Sequence, residues 1–229
     1  MMIDLKNITF KWHKNDNKPT LTISELVIKK GERVFLHGPS GSGKSTLLTL
    51  LAGINTATSG DIFILNKNLN TLSNTNRDVF RADHIGYIFQ NFNLLPYLTP
   101  IENVILGCQF SKSRQKTALK QSATLNQEAT RLLNALGLTE QYHKKDVATL
   151  SVGQQQRVAA ARAFIGSPEL IIADEPTSAL DTNNRESFIK LLFEQAKHSN
   201  STLVFVSHDE SLQPLFDRSI NLISLQENI

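Results

Sequence analysis

Two clusters of residues in this chain have the types and the spacing to handle a phosphate. The first is Gly38-Pro39-Ser40-Gly41-Ser42-Gly43-Lys44-Ser45, followed by Thr46. Glycines let the backbone wrap closely around an anion, successive N–H groups point inward, and a helix opening there adds its positive end. In such a loop Lys44 reaches the β- and γ-phosphates of a nucleotide and the Ser45 hydroxyl ligates Mg²⁺. The second cluster is Leu170-Ile171-Ile172-Ala173-Asp174-Glu175, an apolar run that ends on two adjacent carboxylates. Asp174 suits Mg²⁺, usually through water. Glu175 suits orientation and deprotonation of an attacking water. Either cluster alone is open to a plainer explanation, a Gly-rich turn or a capped turn. Together they point to nucleotide hydrolysis.

Both clusters need rigid supports, and the apolar pattern supplies them. Val34-Phe35-Leu36, Leu170–Ala173 and Leu203–Val206 are unbroken apolar runs that end at polar or Gly-rich turns. Such runs suit strands buried on both faces of a largely parallel sheet, and ligands bind at the ends of such strands. Helical stretches lie between them: Lys44–Leu51, Gln154–Ile165 and Asn183–Lys197. The first sixty-odd residues differ. Ile3–Trp12, Leu21–Ile28 and Asp61–Leu65 alternate or carry β-branched residues between turn signals such as Ser59-Gly60, which predicts a small antiparallel layer. From about 91 to 150 helical patterns dominate, with Ala129, Leu132, Leu133 and Leu136 forming a stripe that stops at Gly137. The expected fold is therefore α/β: one domain over 1–229, with its core in 1–90 and 151–229 and a helical subdomain at about 91–150. Within the latter, Ser111–Gln127 is poor in large apolar residues and carries Lys112, Arg114, Lys116 and Lys120. It reads as a solvated helix or loop, with a partner-binding patch as the alternative.

Composition sets the limits. A formal charge of +3 from 24 basic and 21 acidic side chains lacks the basic excess of a nucleic-acid binder, so no nucleic acid is expected as partner. Cys108 is the single cysteine and forms no internal disulfide. There is no basic stretch followed by an apolar signal core, and no apolar run approaches the roughly 20 residues of a membrane span. The expectation is a cytoplasmic protein that meets a membrane only through another subunit.

At this point the chain resembles the nucleotide-binding subunits of ABC transporters along almost its whole length, with the motifs in the family's order. Leu150-Ser151-Val152-Gly153-Gln154 resembles the signature motif. The resemblance implies a head-to-tail ATP-sandwich dimer in which Ser151, Gly153 and Gln154 serve the ATP site of the second copy. Gln90 matches the Q-loop glutamine that ligates Mg²⁺ and senses the transmembrane partner. His208, in Val206-Ser207-His208-Asp209, matches the switch histidine on the γ-phosphate. Ser178-Ala179-Leu180-Asp181 resembles the D-loop. Trp12 stands where the family usually has a Tyr stacked on adenine, with core packing of Trp12, and Phe10 as the stacking ring, as alternatives. The cofactors implied are ATP and Mg²⁺, with metal contacts from Ser45, Gln90 and Asp174.

One position departs from the family. Val152 replaces the usual glycine, and the expectation is that Val strains a backbone suited to glycine. Tyr87–Val104 resembles the branch of lipoprotein-release, macrolide-export and cell-division subunits (LolD, MacB and FtsE types). That branch implies a four-helix permease with an extracytoplasmic domain as partner and a location on the inner face of the cell membrane. With the sequence ending at Ile229, the C-terminal regulatory domain of many importer subunits is not expected. Two other functions stay open: a soluble ABC ATPase acting on nucleic acid or ribosomes, and an ATP-switched regulator of a membrane complex.

Overall fold

The computed structural model describes residues 1–178 and 180–227. Strands β1 (Ile3–Phe10), β2 (Leu21–Ile28) and β3 (Arg33–His37) lead to helix α1 (Lys44–Leu51). Strands β4 (Ser59–Ile64) and β5 (Lys67–Asn68), helix α2 (Asn74–His84) and strand β6 (Ile85–Ile88) follow. Four helices come next, α3 (Pro100–Gln109), α4 (Lys112–Gln121), α5 (Leu125–Ala135) and α6 (Val152–Phe164), then β7 (Leu170–Asp174) and α7 (Thr182–Ser199). The last elements are β8 (Thr202–Val206), β9 (Arg218–Asn221) and α8 (Leu222–Glu227). The chain divides into two compact units, Met1–Arg81 with Thr202–Ile229, and Ala82–Ser201.

The first unit holds the antiparallel layer, in the order β2-β1-β4-β5. Its core side chains on β1 switch parity, from Ile3 and Leu5 to Ile8 and Phe10, all buried. The switch is a bulge: the β1–β4 register shifts between Lys6 and Thr9, and Asn7 sits there at φ 51. An extra residue turns the following side chains over, which keeps the apolar set inward. Gly60 makes this possible. At φ 88 a Cβ on Gly60 would run into the Asn7 carbonyl. Ser59-Gly60, expected as a turn, therefore begins β4 as the partner of the bulge. The same unit holds β3 in parallel register with β8 and with β9, Leu36 facing Val206 on one side and Ile220 on the other. The apolar runs of β3 and β8 are buried throughout from Val34 to Leu36 and from Leu203 to Val206.

The second unit pairs β6 with β7 in parallel, Ile88 opposite Ala173. Around them α3, α5 and α6 pack on one another. Each starts on a capping box, from Thr99, Thr124 and Ser151, with Pro100 at the first position of α3. These boxes satisfy N–H groups that a helix start leaves without partners.

Ser111–Gln127 departs from expectation. It folds as α4 and the start of α5. Lys112, Lys116 and Lys120 are exposed, but Arg114 is buried. Its Nε and Nη2 donate to the Ile165 carbonyl at 2.8 and 2.6 Å, and Nη2 donates to Ala163 O at 2.8 Å. A cation thus closes the C-terminal end of α6, where the helix dipole is negative. Glycine makes the slot: a Cβ on Gly166, at φ 75, would sit 2.5 Å from the Arg114 Cβ.

Candidate nucleotide site

In the first unit, β3 delivers the phosphate loop and α1 receives it. Gly38, Gly41 and Gly43 have φ of 152, 81 and 97, all positive. Gly43 is the N-cap of α1 in left-handed geometry, with no side chain capping the helix and no acid in its first turn. The opening N–H groups of α1 are thus left to an outside acceptor. Lys44 Nζ donates to the Gly38 and Pro39 carbonyls at 2.7 and 3.0 Å, so the ammonium lies over the loop. Ser42 Oγ is buried and has no partner among the described residues. A buried hydroxyl, a helix N-terminus and a lysine on one loop form a donor set suited to a polyphosphate. Gln226 of α8 adds a support that the sequence did not signal. Its Nε2 donates to Ser42 O at 3.0 Å.

Trp12 lies in this unit just past β1. It is 55% exposed, whereas Phe10 is 5% exposed, and the two rings meet edge to face at 5.0 Å. Core packing explains Phe10 and does not explain Trp12. His208 follows β8 and is also exposed.

In the second unit, β7 ends on Asp174, and Glu175 follows at φ 48. Left-handed backbone is uncommon for a residue other than glycine, and such geometry gathers at functional sites. The Tyr87 hydroxyl donates to Asp174 Oδ2 at 3.5 Å. Burial first, and the Asp174 charge second, push the Tyr87 phenol well above its ordinary range, so it stays a neutral donor. Gln90 is exposed just past β6. The loop after it runs through Phe92 and Asn93 at φ 59 and 49. Arg162 of α6 holds that bend, donating to Asn93 O at 2.6 Å and to Phe92 O at 2.5 Å.

Among the described residues no group of three His, Cys, Asp or Glu is clustered to hold a metal ion. Magnesium does not require one, because it typically takes one or two protein oxygens and fills its shell with phosphate and water. The exposed Ser45 hydroxyl in the first unit and the Asp174 carboxylate in the second are each an oxygen donor of the kind magnesium takes.

A third group of residues converges in the second unit. Ser151, Gly153, Gln154 and Asp181 line one cavity of 610 Å³ together with Val152 and Leu180. Ser151 and Gln154 form a reciprocal box: Ser151 Oγ accepts from Gln154 N at 3.3 Å, and Gln154 Oε1 accepts from Ser151 N at 2.9 Å. The Ser151 hydroxyl proton is not used by that box. At Gly153 a Cβ would lie 3.2 Å from Leu180 Cδ2. Asp181 caps α7, accepting from Asn184 N at 2.9 Å. Ser178 N donates to Glu175 O at 3.2 Å, which ties the start of that stretch to the carboxylate pair, and Ala179 lies outside the described residues.

Val152 corrects one expectation. It is the first residue of α6 and is absent from the residues with positive φ. The third signature position therefore takes an ordinary helical conformation that valine adopts without strain. What Val152 adds is volume, 48% exposed, at the mouth of the cavity.

The family profile described as ABC transporter matches residues 21–178. The chain belongs to the ABC transporter family. It is an ATP-binding subunit and an ATPase of that family. The ABC transporter ATP-binding protein YbbA of Escherichia coli K12 is 40% identical over 206 residues, covering 90% of this chain and 87% of that one. The LolD ATP-binding protein of a lipoprotein-releasing system, from Psychrobacter arcticus, is 40% identical over 202 residues, covering 88% and 86%. Among solved structures, the dimeric post-hydrolysis cassette MJ0796 bound to ADP and Pi superposes with a TM-score of 0.82 at 35% identity, covering 96% of this chain and 94% of that one. The fold is thus the α/β ABC ATPase fold, with an antiparallel layer, parallel strand pairs and a helical region. Among the described residues no helix is long and apolar enough to cross a membrane.

Proposed function

We propose that two copies of this chain close head to tail around two Mg·ATP and that hydrolysis drives a membrane permease in export or mechanotransmission. The observation that carries this reading is the cavity shared by the signature residues and Asp181. A capped helix N-terminus with an available hydroxyl proton suits the γ-phosphate of an ATP held by the other copy. In each site the loop amides and Lys44 hold the β- and γ-phosphates, and Trp12 stacks on adenine. Ser45, Gln90 and Asp174 would hold Mg²⁺, which neutralises charge on the phosphate oxygens. Glu175 takes the proton of the attacking water and His208 contacts the γ-phosphate. Positioning and charge stabilisation account for most of the rate, as in other phosphoryl transfers.

The partner expected is a four-helix permease with an extracytoplasmic domain, and the place of work is the inner face of the cell membrane. Support comes from the resemblance of Tyr87–Val104 to the LolD and MacB branch. Purification of Glu175→Gln protein with ATP from detergent-solubilised source cells, followed by mass spectrometry, tests it. Recovery of such a permease supports the reading; ribosomal or DNA-repair proteins with no membrane protein overturn it.

The same dimer predicts an effect at Val152. Val152→Gly removes bulk from the cavity mouth and is expected to strengthen ATP-dependent dimerisation, measured by analytical ultracentrifugation. It also lowers stability by about 0.5 kcal/mol or less, because valine is itself a weaker helix former than alanine. Dimerisation and turnover equal to the parent's would show that the valine is neutral.

A further inference from the structure

His37 closes β3 immediately before the phosphate loop, and it is a polar residue in a buried place. Its side chain is 11% exposed, and its ring packs on Phe35 at 5.8 Å. Phe35 in turn stacks on Phe205 at 6.2 Å and meets Phe216 at 5.2 Å. The ring is therefore fixed by an aromatic cluster. From that place its Nδ1 lies 3.1 Å from Oε1 of Glu210, a side chain that is 68% exposed. The exposed, mobile-stemmed group comes to the fixed one.

Glu210 stands two residues after His208, and the short segment between β8 and Glu210 is pinned on both sides of that histidine. On the near side Ser207 N donates to Leu36 O at 3.3 Å, and Asp209 N donates to Ser207 Oγ at 3.1 Å. On the far side the Asp209 carboxylate accepts from Ser211 N and Oγ at 3.1 and 2.6 Å, and Glu210 meets His37. The near anchor uses the backbone of β3. The far anchor uses the side chain of the next residue of the same strand.

We infer that His37 is a positioning residue for His208: by holding Glu210 it fixes the loop that carries His208 relative to the strand that carries the phosphate loop. The hydrogen bond has Nδ1–H donating to the carboxylate and needs no change of charge. The inference rests on the reading of His208 as the γ-phosphate contact, since only then does its placement govern turnover. The contact is made by the His37 and Glu210 side chains and involves no group of Gly38–Ser45, so the effect belongs in kcat and not in ATP affinity.

The test compares His37→Phe, Glu210→Ala, Glu210→Gln and His208→Ala in ATPase turnover, alongside affinity for a fluorescent ATP analogue. His37→Phe keeps the aromatic packing and loses the donor. Small displacements of a positioned group lower rates readily, and a half-exposed hydrogen bond is a modest one, so His37→Phe and Glu210→Ala are each expected to lower kcat about three- to tenfold. Affinity should stay within about twofold of the parent. Because both changes break one contact, the double variant should be no slower than the slower single one. Glu210→Gln keeps an acceptor oxygen and should retain most of the rate. Parental kcat in both His37→Phe and Glu210→Ala, with turnover lost in His208→Ala, overturns the positioning role alone. A loss of affinity in place of kcat overturns it too. Parental turnover in His208→Ala removes the underlying reading as well.

Discussion

Glu175→Gln is expected to lower steady-state ATP turnover by about 10²- to 10⁴-fold, the range for losing a general base. That corresponds to about 3–5.5 kcal/mol of transition-state stabilisation. ATP binding should survive, because the groups proposed to hold the phosphates belong to the Gly38–Ser45 loop. The substitution is close to isosteric, and glutamine is no worse suited than glutamate to the φ of 48 at this position. Folding should therefore be unchanged, and the loss can be read as chemistry. Lys44→Ala is the contrasting variant. It removes the cation expected at the β- and γ-phosphates and also the two bonds from Nζ to Gly38 O and Pro39 O. ATP affinity itself should fall, with turnover following. Phosphate release at saturating nucleotide, set beside equilibrium binding of a fluorescent ATP analogue, separates the two variants. Near-parental turnover in Glu175→Gln would remove Glu175 from the role of base.

What could be read from the residues, and what could not, follows from how local each signal is. The loop at Gly38–Ser45 and the run into Asp174-Glu175 are contiguous motifs between strand and helix patterns, and β3, α1, β7 and β8 stand within a residue of the expected places. Ser151 and Gln154 were legible as a motif; their reciprocal cap is the i, i+3 spacing of a capping box and was open to the same reading. Helix α2 left no apolar stripe to find, since Arg77 and Phe80 are the buried residues in it. The Gly60 bulge is a tertiary event, set by the Asn7 backbone across the sheet, and Gly60 looks like any turn glycine in sequence. Arg114, Arg162 and Gln226 act on backbone carbonyls far along the chain. A polar side chain with a backbone partner leaves no complementary residue in the sequence, so patterning assigns it to solvent. Val152 failed for a different reason: glycine in a motif suggested special backbone angles, but a glycine can equally be used where space is needed.

Arg114 carries the other large expected effect. Replacement by methionine keeps much of the side-chain volume and removes the guanidinium. The carbonyls of Ala163 and Ile165 then lose the donor that meets them at 2.8 Å or less, in a place that water does not reach. Each buried polar group left unpaired costs about 1–3 kcal/mol. Burial already draws the Arg114 pKa down to about 10, so the group is charged at neutral pH but held at a desolvation penalty. Relief of that penalty offsets part of the loss. The balance favours the parent, because the cation also faces the negative end of α6, and the net destabilisation expected is about 2–4 kcal/mol. For a chain of this size that is a fall in melting temperature of roughly 5–15 °C, measured by calorimetry or circular dichroism. Arg114→Lys should recover only part of it, since an ammonium cannot present the planar fork that reaches both carbonyls. Lys112→Met and Lys116→Met, on the exposed face of the same helix, should stay within about 0.5 kcal/mol of the parent. A melting temperature for Arg114→Met within about 2 °C of the parent would show that α6 ends stably without the arginine.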